Sequence, residues 1–315
     1  MTVVVANAAS GVSGTPSGPA GPATWLGGRF RLDERISAGS ALTLWKATDG
    51  LLRRAVMVYT LPRGTEVPAD VIDAVQAAAR VSDPRLATIF DTDFSAESPY
   101  IVSEWTPGTH LEDLLLSGLP SPALAAAMIG DAADALAVAH EAGRPHLCLR
   151  PRSLRWDNTS GLKISGLGID AALSGANAEE PGAADAMALG RMLYALLTGF
   201  WPGDEAAVIP PAPRHAGRVY TPRQVRAGVP AVLDAITCRA LGLLPPGAPG
   251  ALRTPAGLAM ALRSVHRPTY RAYDAQEPEN PAPVVALPAV SPGRARHVRT
   301  WTGVRRRTSP LRPAM

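Results

Sequence analysis

The feature of this sequence that most constrains its fold is a change of hydrophobic pattern near residue 107. Before that point, short segments such as RFRLDERI and ALTLWKA alternate apolar and polar side chains, and AVMVYTL is rich in β-branched and aromatic residues. Both patterns are typical of strands. Only one helix is predicted there, over 68–81. After residue 107 the segments are longer and mostly helical, as in SPALAAAMIGDAADALAVAHEAG. The pattern predicts an α+β protein with a small β-rich lobe followed by a helical lobe.

The two ends of the chain differ from this body. Residues 1–24 are small, uncharged and rich in Gly, Pro and Ser, which predicts a disordered arm. Residues 268–315 are rich in Pro and Arg, which predicts a disordered tail. We therefore assign the β-rich lobe to 28–106 and the helical lobe to 107–267. Residues 291–315 contain seven arginines and no acidic residue, so the basic character of the chain belongs to the tail.

Several protein classes are disfavoured by composition. The two cysteines, Cys148 and Cys238, belong to no metal-binding motif, so we expect neither a disulfide framework nor a zinc site. The start of the chain lacks a basic segment followed by an apolar run, and no run of eighteen apolar residues occurs. We therefore expect a cytoplasmic protein without a transmembrane helix. Peripheral membrane contact, if it occurs, would use the arginine tail.

A series of segments resembles, in order, the landmarks of bacterial serine/threonine protein kinases of eukaryotic type. RFRLDERISAG resembles the first strand and phosphate loop, ARVSDPRLATIFD the passage after the αC helix, and PYIVSEW the hinge strand. AHEAGRPHLCLRPRSL resembles the catalytic loop, LKISGLGI the metal-binding loop and DAMALGRMLYALLTG the αF helix. The resemblance covers about residues 28–266. It implies the bilobal protein-kinase fold, with a small β-rich N-lobe and a helical C-lobe.

The positions that this family uses for phosphoryl transfer hold other residues here. Kinases position the phosphates and metal ions with a strand lysine, an αC glutamate, a catalytic-loop Asp and Asn, and a metal-loop Asp. The matching positions hold, in that order, Val58 (Met57 or Tyr59 in a slipped register), Ala74, Cys148, Ser153 and Gly166. The chain has only two lysines, Lys46 and Lys163, so no register shift restores a strand lysine. The resemblance therefore implies an inactive member, a pseudokinase rather than an enzyme, without a catalytic or metal site.

Other matching positions suggest what remains. Asp185, which matches an aspartate of αF, is expected to accept hydrogen bonds from the catalytic-loop backbone. His146 and Leu167 are expected to be core residues. The candidate adenine pocket consists of Leu44, Val56, Glu104 and Trp105. Weak, metal-independent ATP binding is the only cofactor interaction that we expect, with Lys46 as an alternative phosphate contact.

The degenerate loops resemble most closely the pseudokinase domains associated with MviN-type flippases of peptidoglycan precursors. That resemblance implies a regulatory or scaffolding module in cell-envelope signalling. Its partner would be a forkhead-associated domain or an active Ser/Thr kinase, with Thr300, Thr302 and Thr308 as candidate phosphorylation sites. Two alternatives stay open: an ATP-binding or weakly active atypical Ser/Thr kinase, and a binder of anionic surfaces through the tail. Nucleic acid is not the expected partner.

Overall fold

The N-terminal lobe is a curled antiparallel sheet with one helix beside it. The computed structural model describes residues 21–39, 42–205, 208–243 and 250–265. Its first strands are β1 (Trp25–Leu26), β2 (Phe30–Ala38), β3 (Thr43–Asp49), β4 (Arg54–Thr60), β5 (Ile89–Asp93) and β6 (Tyr100–Glu104), with helix α1 (Ala69–Ala78) between β4 and β5. They form a six-stranded sheet in the order β1-β2-β3-β4-β6-β5. The lobe expected over 28–106 is therefore a sheet of sequential strands in which β6 is inserted between β4 and β5.

Both faces of this sheet are covered. Successive side chains of a strand point to opposite faces. Val56 and Val58 of β4 accordingly pack with Trp45 on one face. Met57 and Tyr59 lie on the other face, in a cluster that includes Val75 of α1. We call this second face the α1 face.

The C-terminal lobe is mainly helical. Its helices are α2 (Leu111–Ser117), α3 (Pro122–Glu141), α4 (Asp170–Ser174), α5 (Pro181–Thr198), α6 (Pro222–Val225), α7 (Ala231–Leu241) and α8 (Pro255–Arg263). Two small sheets accompany them, formed by β7 (Thr109–His110), β8 (Leu154–Asp157) and β9 (Gly161–Ile164), and by β10 (Arg214–His215) and β11 (Arg218–Val219). Ser121 is the N-cap of α3, and its hydroxyl accepts the Leu124 N–H at 3.2 Å. The core lies where α3 packs on α5 and α8, and α5 packs on α7.

Helix α3 departs from one expectation. By length and composition alone it is apolar enough to cross a membrane, which the sequence analysis did not predict. In the structure, however, its side chains are core residues: Ala125, Ile129 and Leu136 are fully buried. Packing against α5 and α8 therefore explains the apolar composition of α3.

The bilobal α+β fold is confirmed. The arm predicted for 1–24 and the tail predicted for 268–315 lie outside the described residues, apart from 21–24. Two of those four residues bond to β2, since Ala23 N–H donates to Leu32 O at 2.7 Å and Leu32 N–H donates to Thr24 O at 2.9 Å. The ordered N-lobe therefore begins earlier than the composition indicated.

Candidate functional site

The buried carboxylate of Asp185, near the start of α5, has three hydrogen-bond partners. Its carboxylate is 1% exposed. Oδ2 accepts the His146 N–H at 2.8 Å and lies 2.8 Å from Nε2 of His140, and Oδ1 accepts the Leu147 N–H at 2.8 Å. Leu147 has φ +60°, a left-handed conformation that is unfavourable for leucine. The carboxylate thus holds the start of the catalytic-loop segment (residues 146–153) in a strained shape, and the prediction for Asp185 is confirmed.

The catalytic-loop segment is also tied to the segment that precedes the metal loop. The ring of His146 is fully buried, and its Nε2 lies 3.0 Å from the carbonyl oxygen of Ser165. Ser165 N–H donates to the carbonyl oxygen of Ser153 at 2.9 Å. Leu167 is 6% exposed and packs in the core of the C-lobe. His146 and Leu167 are therefore core residues, as expected.

Cys148 and Ser153 occupy the positions at which the family has its catalytic-loop Asp and Asn. Ser153 is buried, and its hydroxyl accepts the Arg150 N–H at 3.2 Å across a single 3-10 turn. Its oxygen is used to close that turn. Cys148 is half-buried, and its Sγ lies 3.4 Å from Oγ of Ser174 in α4. Neither side chain brings a carboxylate to the segment.

Tyr59 is one of the two β4 residues that lie on the α1 face, the other being Met57. The favoured match, Val58, is fully buried on the opposite face, where it is paired with Trp45 and Val102 on the neighbouring strands. Strand alternation therefore excludes Val58 from the α1 face and places the two register alternatives, Met57 and Tyr59, on it. Burial, together with the nearby negative charge of Asp170, raises the pKa of Tyr59, so the phenol is neutral at physiological pH.

Small residues bring α1 directly onto the metal-loop segment (residues 166–168). Gly168 has φ +71°, and a Cβ added there would lie 2.2 Å from Cβ of Ala78. Only glycine fits at this close approach. Ala74, one turn earlier in α1, lines a groove of about 320 Å³ that also borders Leu147 and Gly168. Where the family has a glutamate side chain, this protein has open space.

Asp170 is the site residue that sequence reasoning missed. Gly166 has φ +89°, and a Cβ added to it would lie 2.3 Å from Oδ2 of Asp170. The Asp170 carboxylate therefore stands where a side chain at position 166 would begin. Burial raises the pKa of Asp170, while nearby His146 and Arg150 act in the opposite direction. The only signal in the sequence was an acid four residues after Gly166, and the position-by-position match did not consider it.

The candidate adenine pocket is only partly assembled. Leu44 and Trp105 pack on the α1 face, but Val56 is fully buried on the opposite face. Glu104 forms an ion pair with Lys163 of β9, with 2.6 Å between Oε1 and Nζ. The prediction is therefore wrong for Val56, because strand alternation turns it away, and the Glu104 side chain ties β6 to β9.

Two cations lie over the ring of Trp105. Nζ of Lys46 is 5.1 Å and Cζ of Arg155 is 5.2 Å from the ring centroid. Arg155 also donates to the carbonyl oxygen of Gly108 at 2.9 Å and lies 2.8 Å from Nε2 of His110. Lys46 therefore contacts the hinge aromatic, through a cation–π interaction.

Three predicted sites lie outside the described residues. They are the candidate phosphorylation sites Thr300, Thr302 and Thr308, which share the tail with the arginines of residues 291–315. Phosphorylation and surface binding by the tail remain predictions.

Comparisons with known proteins agree with this fold. No family model matches the chain. It is 34% identical over 156 residues to a probable serine/threonine-protein kinase of Corynebacterium efficiens, an alignment that covers 46% of this chain and 23% of that protein. It is 28% identical over 254 residues to the serine/threonine-protein kinase PknB of Mycobacterium tuberculosis, covering 70% of this chain and 40% of PknB. A probable serine/threonine-protein kinase of Streptomyces coelicolor is 31% identical over 159 residues, covering 47% of this chain and 23% of that kinase.

The bilobal fold is kinase-like, and these relatives show that the chain is similar in sequence to bacterial Ser/Thr protein kinases. The chain spans well under half the length of these curated relatives. One expectation is overturned: the sequence analysis predicted that the chain is not an enzyme, whereas the relatives are named Ser/Thr protein kinases and point to an enzyme. Replacement of individual charged residues was not a sufficient basis for that prediction, because a site can take the same group from another position.

Proposed function

We propose that this kinase-like domain is a regulatory or scaffolding module that recruits or controls a protein partner in Ser/Thr kinase signalling. The observation that carries the proposal is the Asp185 network. Both oxygens of a buried carboxylate are used to hold the backbone of the catalytic-loop segment in place. A surface with a fixed backbone is suited to recognition by another protein, because little ordering entropy is lost on binding.

The residues of the α1 face support the same proposal. On the α1 face, β4 places Met57 and the neutral phenol of Tyr59, and α1 presents Ala74 where the family has a glutamate. None of these residues carries the charge with which the family holds phosphates. The arrangement favours a role in which a partner protein recognises the shape of this domain.

The resemblance suggests two classes of partner: an active Ser/Thr kinase, and a forkhead-associated domain that reads phosphothreonine. Both belong to the proposed setting in cell-envelope signalling. Phosphate on Thr300, Thr302 or Thr308 would place a strong negative charge among the tail arginines and create a mark for such a domain.

A capture experiment tests the proposal. The full chain is incubated with a purified active Ser/Thr kinase and ATP, and then presented to an immobilised forkhead-associated domain. We expect capture after phosphorylation, loss of capture after phosphatase treatment, and loss in the triple variant T300A/T302A/T308A. The matched control replaces Thr159 and Ser160, exposed residues of the β8–β9 turn, with alanine. The same chain is also passed over the immobilised kinase. If neither the immobilised kinase nor the immobilised forkhead-associated domain retains the chain, the recruitment proposal is wrong.

A second candidate function is an ATP-binding, weakly active atypical Ser/Thr kinase. The names of the relatives favour it, and so does the half-buried carboxylate of Asp170 beside the metal-loop segment. Incorporation of labelled γ-phosphate into the chain, or into a generic basic protein substrate, measures this activity directly. Activity that disappears in D170N but persists in D73N, an exposed acid of α1, would favour this candidate over the scaffold.

A further inference from the structure

The carboxylate of Asp170 occupies the space that a side chain at position 166 would fill. The backbone at Gly166 has φ +89° and carries no Cβ. Into the space this leaves, the short helix α4 projects the carboxylate of Asp170: its Oδ2, Cγ and Oδ1 lie 2.3, 2.8 and 3.2 Å from where that Cβ would be. All three carboxylate atoms are thus within reach of the space that a side chain at position 166 would fill.

The Asp170 carboxylate has no fixed partner in the described part of the chain. No hydrogen bond or ion pair to its oxygens forms there, although the residue is half-buried. A half-buried carboxylate loses part of its hydration, and here no protein donor offsets that loss. Asp185, in the same lobe, is buried with three partners. The contrast points to a ligand that brings positive charge to Asp170.

The chemistry of a carboxylate selects the class of that ligand. Carboxylate oxygens suit Mg²⁺ and Mn²⁺, and Mg²⁺ in proteins is commonly held by one or two carboxylates together with substrate phosphates. Among the described residues, no group of three or more His, Cys, Asp or Glu side chains converges on one point. Asp170 therefore fits a cation that arrives with phosphate oxygens better than it fits a free ion.

We propose that Asp170 is the residue through which this domain binds a divalent cation, Mg²⁺ or Mn²⁺, carried by the phosphates of a nucleoside triphosphate. The inference goes beyond partner recruitment and is independent of it, and it concerns binding whether or not a phosphate is transferred. It also replaces the expectation of metal-independent ATP binding with a metal-dependent one.

Binding is measured with the full chain and three probes: Mn²⁺ alone, Mn²⁺ with ATP, and ATP with EDTA. The readouts are the thermal midpoint of unfolding and the free Mn²⁺ signal in electron paramagnetic resonance. We expect Mn²⁺ with ATP to raise the midpoint by about 5 °C or more at a hundredfold excess over Kd, and to lower the free Mn²⁺ signal. Mn²⁺ alone and ATP with EDTA should do much less.

Substitutions assign the effect to Asp170. D170N should weaken binding of Mn²⁺–ATP by about tenfold or more, because a charged ligand oxygen is lost. D73N, which removes an exposed acid without a partner in the described structure, should leave Kd unchanged. The double variant G166D/D170A returns a carboxylate to the same space from position 166, and recovered binding there would support the assignment.

Two results would overturn the inference. One is a wild-type chain whose midpoint and Mn²⁺ signal do not respond to Mn²⁺ with ATP. The other is D170N binding Mn²⁺–ATP as tightly as the wild type. Neither result affects partner capture, so failure here is distinguishable from failure of the recruitment proposal.

Discussion

Two carboxylates of the C-lobe differ in their partners: Asp185, which is buried beside the catalytic-loop segment, and Asp170, which is half-buried beside Gly166. Asp185 accepts two backbone N–H groups of the catalytic-loop segment and contacts His140. The carboxylate of Asp170 forms no hydrogen bond or ion pair with any described residue, and burial raises its pKa. Taking a charge out of water is costly unless hydrogen bonds or an opposite charge offset the lost hydration. The region around Asp185 therefore serves the shape of the domain, and the region around Asp170 is the place to look for a ligand.

A third carboxylate sharpens this contrast within the N-lobe. Asp49, at the end of β3, is fully buried and forms a two-point ion pair with Arg29, at 2.8 and 3.1 Å. It also accepts the N–H groups of Leu51 and Leu52 at 3.0 and 3.1 Å. Asp49 thus closes the β3–β4 turn as Asp185 closes the catalytic-loop segment. Fully paired carboxylates hold both lobes, and Asp170 does not follow this pattern.

The largest expected effect is that of D185A. It leaves the N–H groups of His146 and Leu147 buried without acceptors and removes the contact that offsets the strain at Leu147. We expect the free energy of unfolding to fall by about 3–5 kcal/mol. The thermal midpoint should fall by about 6–15 °C. Chemical denaturation and calorimetry measure both.

The control for D185A is D204A. Asp204 is 91% exposed and paired only with Arg214 in the described structure, so its loss should cost about 0.5 kcal/mol or less. If D185A costs no more than D204A, the catalytic-loop segment does not depend on the Asp185 network and the contrast between the two regions fails.

The next effect in size is that of G168A, which tests how closely α1 approaches the metal-loop segment. The added methyl would lie 2.2 Å from Cβ of Ala78, and the alanine backbone would have to adopt φ +71°. Backbone strain and overpacking together should lower the free energy of unfolding by about 2–4 kcal/mol.

G143A is the matched control for G168A, since Gly143 has φ +69° but nothing within 4 Å of an added Cβ. It carries the backbone strain without the collision. The difference between the two variants, expected to be about 1–3 kcal/mol, isolates the contact with α1. Equal losses would show that α1 moves away freely.

An acid titration tests the paired carboxylate of the N-lobe. The hydrogen bond from Arg29, followed by those from Leu52 and Leu51, lowers the pKa of Asp49 to about 2. Because the pKa is lower in the folded state, the ionised carboxylate stabilises the fold above the ordinary Asp pKa of about 3.9. This stabilisation is lost as pH falls toward 2. D49N should therefore cost about 2 kcal/mol at pH 7. The gap between D49N and the wild type should shrink between pH 4 and pH 2.

Denaturation at a series of pH values measures that gap. D73N, which removes an exposed acid, should show none of this pH dependence. A gap between D49N and the wild type that stays constant from pH 7 to pH 2 would mean that the Asp49 carboxylate is not what Arg29 stabilises.

The smallest effect has the opposite sign. In the absence of ligand, D170N should raise the free energy of unfolding by about 1 kcal/mol, because it removes a charge that burial disfavours. A raised pKa in the folded state makes the ionised carboxylate destabilising only above the ordinary Asp pKa of about 3.9. The advantage of D170N should therefore be absent near pH 3 and present at pH 7. A loss of stability at pH 7 would place Asp170 among the structural carboxylates.

Much of the architecture was predictable because it follows from long patterns. The change near residue 107 separated the lobes, and the resemblance of DAMALGRMLYALLTG to the αF helix implied that Asp185 contacts the catalytic-loop segment. The candidate pocket was less accessible, because AVMVYTL is almost wholly apolar. A one-residue slip in such a strand exchanges its two faces and leaves the hydrophobic pattern nearly unchanged. This is why Val58 was favoured over Tyr59, and why Val56 was assigned to the wrong face.

Composition and order along the chain were enough to establish the two lobes and the absence of a lysine from β4, since the chain has only Lys46 and Lys163. Which face each β4 residue occupies depended on pairing with β3 and β6. The position of Asp170 depended on the left-handed backbone at Gly166 and on the first turn of α4. The face of a β4 residue and the position of Asp170 both depend on contacts between residues that are separate in the sequence. Aligning the sequence with a family position by position does not include such contacts. A carboxylate missing at one position and supplied from another is therefore visible only when the chain is folded.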